Sequence, residues 1–254
     1  MSWVKKTGVS IFTIILLITL ILSGVLLTLT LSLRYNQVHD PLKDLAKTQL
    51  SEQVTQEEID QYYFFILESC KNQTEYYFNE QGSGLELRLP CDEIKVAGSE
   101  GFLDLASEHI IKDIYNREYT CTLTTCMSSS ESTDRAFYVS KQAQRIAIKY
   151  YIISIIIALV MILFIFFLAE TRASWAMIVG TTLIISSFAF FNFGIILSSI
   201  LNTFVSVGDS TILQSLTFIS NNARTVFYTH LGIGIILVIL GIIFWIRNKD
   251  KKKN

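Results

Sequence analysis

The four cysteines are the residues best suited to chemistry in this chain, and one segment holds all of them. They are Cys70, Cys91, Cys121 and Cys126. Four thiols confined to one segment are typical of two disulfides formed in an oxidising compartment. Three connectivities are possible, and proximity along the chain favours Cys70–Cys91 together with Cys121–Cys126.

The spacing of Cys121 and Cys126 bears on a second use of thiols, which is thiol–disulfide exchange. Thioredoxin-like chemistry needs two residues between its cysteines, so that one thiolate attacks and the other resolves the mixed disulfide. Four residues separate this pair, and none of them is basic. The spacing therefore favours a structural loop closure over a membrane thiol–disulfide oxidoreductase.

Other residues that could carry chemistry are sparse. The three histidines (His39, His109 and His230) lack the spacing of metal ligands, and the chain has no phosphate-binding, dinucleotide-binding or hydrolase motif. Asn72 begins an Asn-Gln-Thr sequence, which can accept a glycan in a suitable host. We expect no catalytic residue, no metal, no cofactor and no enzymatic activity.

Four long apolar runs flank and follow the cysteine-bearing segment. They are residues 9–33, 150–169, 175–201 and 227–246, and none contains Asp, Glu, Lys or Arg. About 20 apolar residues in a helix cross a hydrocarbon core roughly 30 Å thick. The pattern predicts an α-helical polytopic membrane protein with four transmembrane helices and a small disulfide-bonded α+β extracytoplasmic domain, residues 34–149, inserted between helices 1 and 2. The first run ends in a poor cleavage site, which favours a retained signal anchor.

The charges predict an orientation for these spans. An even number of spans places both termini on one side, and both the N-terminus (residues 1–8) and the tail (residues 247–254) are basic. Because Lys and Arg are enriched in cytoplasmic flanks, we expect both termini in the cytoplasm of a cell-membrane protein. Residues 34–149 carry 12 Lys and Arg against 19 Asp and Glu, a net charge of −7. A C-terminal Lys-Lys-Lys-Asn also matches an endoplasmic-reticulum retrieval signal, which leaves that membrane as the alternative in a eukaryotic host.

Local patterns predict the elements of the extracytoplasmic domain. Residues 34–51 are polar and are interpreted as a membrane-proximal stalk. Thr55 and Glu58 form a capping box at the start of a helix. The residues at helical spacing on its buried face are Ile59, Tyr62, Tyr63, Ile66 and Cys70. A β-hairpin (76–78 with 85–89), a helix from Ser99 to Asn116, and a helical segment 135–149 leading into the second span complete the prediction.

Small residues seven apart predict close packing between the third and fourth spans. The residues are Gly180, Ser187 and Gly194 on one and Gly234 and Gly241 on the other. Asn192 is the most polar side chain deep in a span; it could line a pore, although an interhelical hydrogen bond is favoured. Residues 202–226 are expected outside and include an amphipathic pattern typical of an interfacial helix.

These features favour a surface interaction or scaffold protein acting through its extracytoplasmic domain. The alternative is an oligomeric channel or pore with Asn192 on its path, and thiol–disulfide exchange is the least favoured. The expected partners are the lipid bilayer, a protein bound by the outer domain and further copies of the chain. The acidic outer domain argues against nucleic acid as a partner.

Overall fold

The computed structural model describes residues 3–53, 55–79, 86–120, 125, 136–191, 193 and 217–250. Seven helices lie in these ranges: α1 Trp3–Ser32, α2 Tyr35–Gln53, α3 Gln56–Ser69, α4 Cys91–Asn116, α5 Lys141–Leu168, α6 Arg172–Phe191 and α7 Thr217–Asp250. Two strands, β1 Glu75–Asn79 and β2 Glu86–Pro90, and a 3₁₀ turn at Ala136–Val139 complete the set. The chain divides into two compact units, which we call the lobe (33–145) and the bundle (1–32 with 146–254).

The lobe contains the predicted hairpin. β1 and β2 pair antiparallel, with Tyr76 opposite Leu89 and Tyr77 opposite Arg88. Leu87 and Leu89 are buried while Arg88 between them is exposed, as the period of two in a half-buried strand requires. The prediction of a hairpin here is confirmed. Its buried face packs on a core formed by Ile66, Cys70, Leu87, Leu89, Cys91, Ile94 and Ala106.

Helix α4 follows β2 without a loop and is longer than the sequence predicts. It begins at Cys91, directly after Pro90, whereas the predicted helix begins at Ser99. Gly98 interrupts the helix with φ 68°, a left-handed conformation that glycine adopts without steric cost. The predicted helix therefore corresponds to the second part of α4, beyond the kink.

The stalk predicted at residues 34–51 is wrong. This segment forms α2, which contacts α4 and buries Val38 completely. Pro41 lies inside the helix. This segment has few apolar residues. Its narrow apolar stripe can be buried only when another helix covers it.

The two chain ends of the lobe meet at Tyr115, near the end of α4. Its hydroxyl lies 3.1 Å from the carbonyl oxygen of Leu33 and 3.1 Å from the side-chain oxygen of Gln144. Burial raises the pKa of Tyr115 above its usual value. One side chain therefore holds together the first and last segments of the lobe.

A turn and a cap begin α5 within the lobe. Phe137 is fully buried in the 3₁₀ turn, and its ring meets that of Tyr119 edge-on. The Ser140 hydroxyl accepts a hydrogen bond from the Ala143 amide at 3.2 Å, which is the geometry of a helix N-cap. The prediction that this segment leads directly into the second apolar run is confirmed from Lys141 onward.

The bundle contains four helices that are long and apolar enough to cross a membrane, within the residues described. Their ranges are Thr7–Ser32, Lys141–Leu168, Arg172–Phe191 and Asn221–Lys249. The core between α1, α5 and α6 is formed by Leu16, Leu20, Ala158, Ile165, Val179 and Leu183. The proposed end of the third span and most of the link 202–226 lie outside the described residues, and the described part of that link already belongs to α7.

Candidate functional site

The cysteine pair favoured by proximity is bonded in the structure. Cys70 follows the last residue of α3 and Cys91 is the first residue of α4, with Cα atoms 5.4 Å apart. Both side chains are buried, at 3% and 2% exposure. The bond closes the segment that contains the hairpin, so its position is that of a structural cross-link. Cys121 and Cys126 lie outside the described residues.

Asn72 lies in the turn between α3 and β1, and its side chain is exposed. The Cys70–Cys91 bond fixes the chain on one side of this turn, and β1 fixes it on the other. An exposed side chain in a turn is accessible to a glycosylating enzyme. The geometry is compatible with the predicted acceptor site.

The predicted packing glycines lie where α6 crosses α7. A Cβ built on Gly180 would come within 2.8 Å of the Gly234 carbonyl oxygen, and one on Gly234 within 2.9 Å of the Gly180 carbonyl oxygen. Gly241 has a similar relation to Met177 and to the Ala173 carbonyl oxygen. At each of these glycines the close atoms include backbone atoms of the facing helix, which a side chain could not displace. Ser187 of α6 is fully buried. Gly194 lies outside the described residues.

A closer contact in the bundle was not predicted from the sequence. The Phe190 ring packs against Gly24 of α1, so that a Cβ there would lie 2.3 Å from the ring. Phe190 is 1% exposed, and its ring also lies beside that of His230, with the ring centres 6.0 Å apart. The sequence contains one signal for this close contact, since Gly24 is the one glycine within residues 9–33.

Polar side chains inside the bundle form hydrogen bonds either across helices or to their own helix. The Ser154 hydroxyl donates to the Thr19 carbonyl oxygen at 3.2 Å, and the Asn222 amide donates to the Ser32 hydroxyl at 3.0 Å. Thr182 and Ser186 of α6 bond to carbonyl oxygens one turn back in their own helix. Asn192, the predicted intramembrane polar site, lies outside the described residues.

The histidines are separate from one another, each beside a different partner. His39 contacts Asp40 at 2.7 Å, and His109 contacts Glu93 at 2.8 Å. His230 donates from Nδ1 to the Val226 carbonyl oxygen at 2.9 Å. In the part of the chain that the structure describes, no three His, Cys, Asp or Glu side chains come together as metal ligands.

The most distinctive surface of the lobe is on α3. Its N-terminus forms the predicted capping box: the Thr55 amide donates to the Glu58 carboxylate at 2.8 Å, and the Glu58 amide donates to the Thr55 hydroxyl at 3.3 Å. The hydrogen bond from the Thr55 backbone lowers the pKa of Glu58. A fixed first turn determines which residues of α3 face the core. Ile59 and Ile66 are buried, as is Cys70 just after the helix.

Three aromatic side chains on α3 face away from the core. Tyr62, Phe64 and Phe65 are 63%, 66% and 65% exposed. The rings of Phe64 and Phe65 meet edge-on, 6.0 Å apart. The prediction that Tyr62 lies on the buried face is therefore wrong, because it falls at the edge of the apolar stripe, beyond the reach of the hairpin core. We call these three residues the α3 ridge.

The α3 ridge is surrounded by acidic side chains. Helix α3 contains Glu57, Glu58, Asp60 and Glu68 and no Lys or Arg. Glu68 pairs with Lys71 at 2.9 Å, just beyond the helix. The sequence predicts the capping role of Glu58 but not the ridge. A helical pattern rich in apolar residues does not by itself indicate how wide the covered face of the helix is.

No family model, curated protein or solved structure matches this chain. A proposal for its function therefore rests on the fold and on the α3 ridge.

Proposed function

We propose that this chain is a multi-pass membrane protein that binds other proteins through its lobe, with the lobe outside the cell and both termini in the cytoplasm. The four apolar helices support the first part. Their outward surfaces remain apolar: large exposed side chains on α5 include Ile152, Ile156, Leu163 and Phe167. Exposing such a surface to water would be costly, at roughly 25 cal/mol for each Å² of apolar area, and lipid removes that cost.

The orientation is supported by the charges at one end of the bundle. Arg172 begins α6, and Arg247 and Lys249 lie in the last turns of α7. These ends are close together, because Gly241 approaches the Ala173 carbonyl oxygen. Trp245 is nearby, with the Lys249 ammonium 5.3 Å from its ring centre. Basic residues with an interfacial tryptophan are typical of the cytoplasmic boundary of a membrane helix.

The observation that carries the binding function is the exposed α3 ridge. Large exposed aromatic side chains on one helix, two of them (Phe64 and Phe65) in ring contact, are typical of a protein interface. Tyr and Phe contribute large contact areas with few rotatable bonds, and aromatic residues are frequent among those that dominate binding energy. The ridge lies on a helix whose cap and core contacts hold it in place before any partner binds.

Photo-crosslinking in intact cells tests this function. Benzoylphenylalanine replaces Phe65 in the full chain, and in a matched chain it replaces Val96, which is 89% exposed on α4 of the same lobe. We expect a discrete protein adduct from position 65 that is absent from position 96. Identical adduct patterns at both positions, or adducts with lipid alone at position 65, would contradict the proposal.

The channel alternative finds no comparable support in the described residues. The hydroxyls of Thr182 and Ser186, which a polar path along α6 would need, are buried and bonded within their own helix. It remains a hypothesis that conductance measurements on Asn192→Leu in liposomes would test.

A further inference from the structure

We infer that the partner of the α3 ridge presents Lys or Arg side chains on an apolar background, an inference that rests on the proposed binding function.

Three of the four acidic residues of α3 lie on the same face as one ring of the ridge, that of Phe64. Asp60 precedes Phe64 by four residues, and Glu68 follows it by four; Glu57 precedes it by seven. Residues three, four or seven apart lie on one face of an α-helix. Phe64 is therefore bordered along the helix by carboxylates on both sides, and all four side chains are exposed.

Two of these carboxylates are not engaged by a cation. Glu58 takes part in the capping box and Glu68 pairs with Lys71, whereas Glu57 and Asp60 form no salt bridge within the described part of the chain. Asp60 accepts a hydrogen bond from the Gln56 side-chain amide at 3.2 Å. Carboxylate acceptors for a cation therefore lie on the same helix face as the Phe64 ring.

Aromatic rings and carboxylates together suit a guanidinium or ammonium group. A cation is attracted to the face of a Phe or Tyr ring. An Arg guanidinium can stack on such a ring while it donates hydrogen bonds to a carboxylate. The lobe already contains one such pairing, in which the Arg88 guanidinium lies 5.3 Å from the Tyr77 ring centre. The aliphatic stem of Lys or Arg also covers apolar surface.

The same charges argue against two other occupants. A second copy that docked its ridge on this one would bring two helices, each with four carboxylates and no basic residue, against each other. Like charges placed opposite one another at an interface are unfavourable. A membrane surface with anionic headgroups would be repelled for the same reason.

Binding of synthetic peptides to the full chain in nanodiscs of zwitterionic lipid tests the inference, with empty nanodiscs subtracted. The peptides have the repeats Arg-Leu, Glu-Leu and Arg-Ser. We expect the Arg-Leu peptide to bind most tightly, and to weaken by about tenfold when the salt rises from about 0.1 M to about 1 M, because the Debye length falls from about 10 Å to about 3 Å.

Matched variants separate the ridge from the general acidity of the lobe. The pair Glu57→Gln and Asp60→Asn should weaken Arg-Leu binding by about three- to tenfold, whereas Glu118→Gln with Asp44→Asn, which removes the same charge from residues outside α3, should leave it unchanged. Phe64→Ser with Phe65→Ser should remove most binding, and Val96→Ser should not. Because all these side chains are exposed, folding can be checked by formation of the Cys70–Cys91 bond.

Several outcomes would overturn the inference. Equal losses from both charge-neutralising pairs would mean that the peptide senses only the net charge. Binding that depends on Phe64 and Phe65 but not on charge or salt would keep the binding function and reject the basic partner. Dimers of the wild-type chain that Phe64→Ser with Phe65→Ser abolishes would assign the ridge to a second copy.

Discussion

The closest packing in the bundle depends on single glycines that face another helix. Gly180 and Gly234 face one another's carbonyl oxygens, and Gly24 faces the buried ring of Phe190. Gly232 lies on the same helix as Gly234 but has no atom within 4 Å of its built Cβ. Two glycines two residues apart therefore have opposite roles, since helical geometry turns one toward α6 and the other away from it.

The first prediction compares alanine at these two kinds of position. Gly180→Ala should destabilise the bundle by about 1–3 kcal/mol, because its methyl group meets backbone that cannot move aside. Gly232→Ala should be neutral or slightly stabilising, since alanine favours the helix and meets nothing. Thermal unfolding of both variants in detergent measures the difference, and equal melting temperatures would contradict the packing described.

The buried disulfide gives a second prediction for single residues. Replacing both Cys70 and Cys91 by serine should destabilise the lobe by about 2–4 kcal/mol, as expected for loss of a native cross-link. Hydrogen exchange should show lower protection in α3 and α4, and unchanged protection in α6 of the bundle. Unaltered protection in α3 would mean that the core alone holds this corner of the lobe.

Individual elements depend on neighbours distant in sequence, and α2 is the clearest case. Lys43 and Lys47 of α2 reach Asp104 of α4 at 3.1 Å and 2.8 Å. The hydrogen bond from Lys47, followed by that from Lys43, lowers the pKa of Asp104. The bond to Asp104 likewise raises the pKa of Lys43. These groups are partly exposed, so the interaction is modest in energy.

The direction of these shifts predicts a pH dependence. Because the pKa of Asp104 is lowered, its ionised carboxylate stabilises the folded lobe at pH values above 3.8, the ordinary pKa. This contribution is lost as the pH falls through the lower pKa of the folded state. Asp104→Asn should therefore cost about 0.2–1 kcal/mol at neutral pH and progressively less as the pH falls below 3.8. Melting temperatures of wild type and variant at both pH values measure this; a difference that persists unchanged in acid would contradict the ion pair.

Sequence patterns predicted the elements whose signals are local. The Thr55–Glu58 capping box and the alternation of Leu87, Arg88 and Leu89 lie within a few residues, and both are found as predicted. The helix α2 was missed because it packs against α4, which begins more than 50 residues after Val38. Local spacing cannot reveal a covering surface supplied from elsewhere.

The candidate site was harder to predict than the fold. Tyr62 was expected to be buried, and Phe64 and Phe65 attracted no attention, because apolar residues in a helix are ordinarily interpreted as core. How much of α3 the hairpin covers depends on the width of the hairpin and on the disulfide, and only the folded lobe determines both. The contact of Phe190 with Gly24 was missed for the same reason.

For the whole molecule, the central proposal is that the lobe lies outside a membrane crossed by the four apolar helices. Val96 on α4 is 89% exposed, and Arg172 is the exposed first residue of α6. Cysteine introduced at each position reports the side of the membrane on which that position lies. The wild-type chain, labelled in parallel, gives the background from its own cysteines.

Labelling of intact cells with a membrane-impermeant maleimide is the most direct measurement. We expect the Val96→Cys variant to be labelled on intact cells, and the Arg172→Cys variant to be labelled only after the membrane is permeabilised. Protection of position 96 together with labelling of position 172, or labelling of both positions on intact cells, would contradict it.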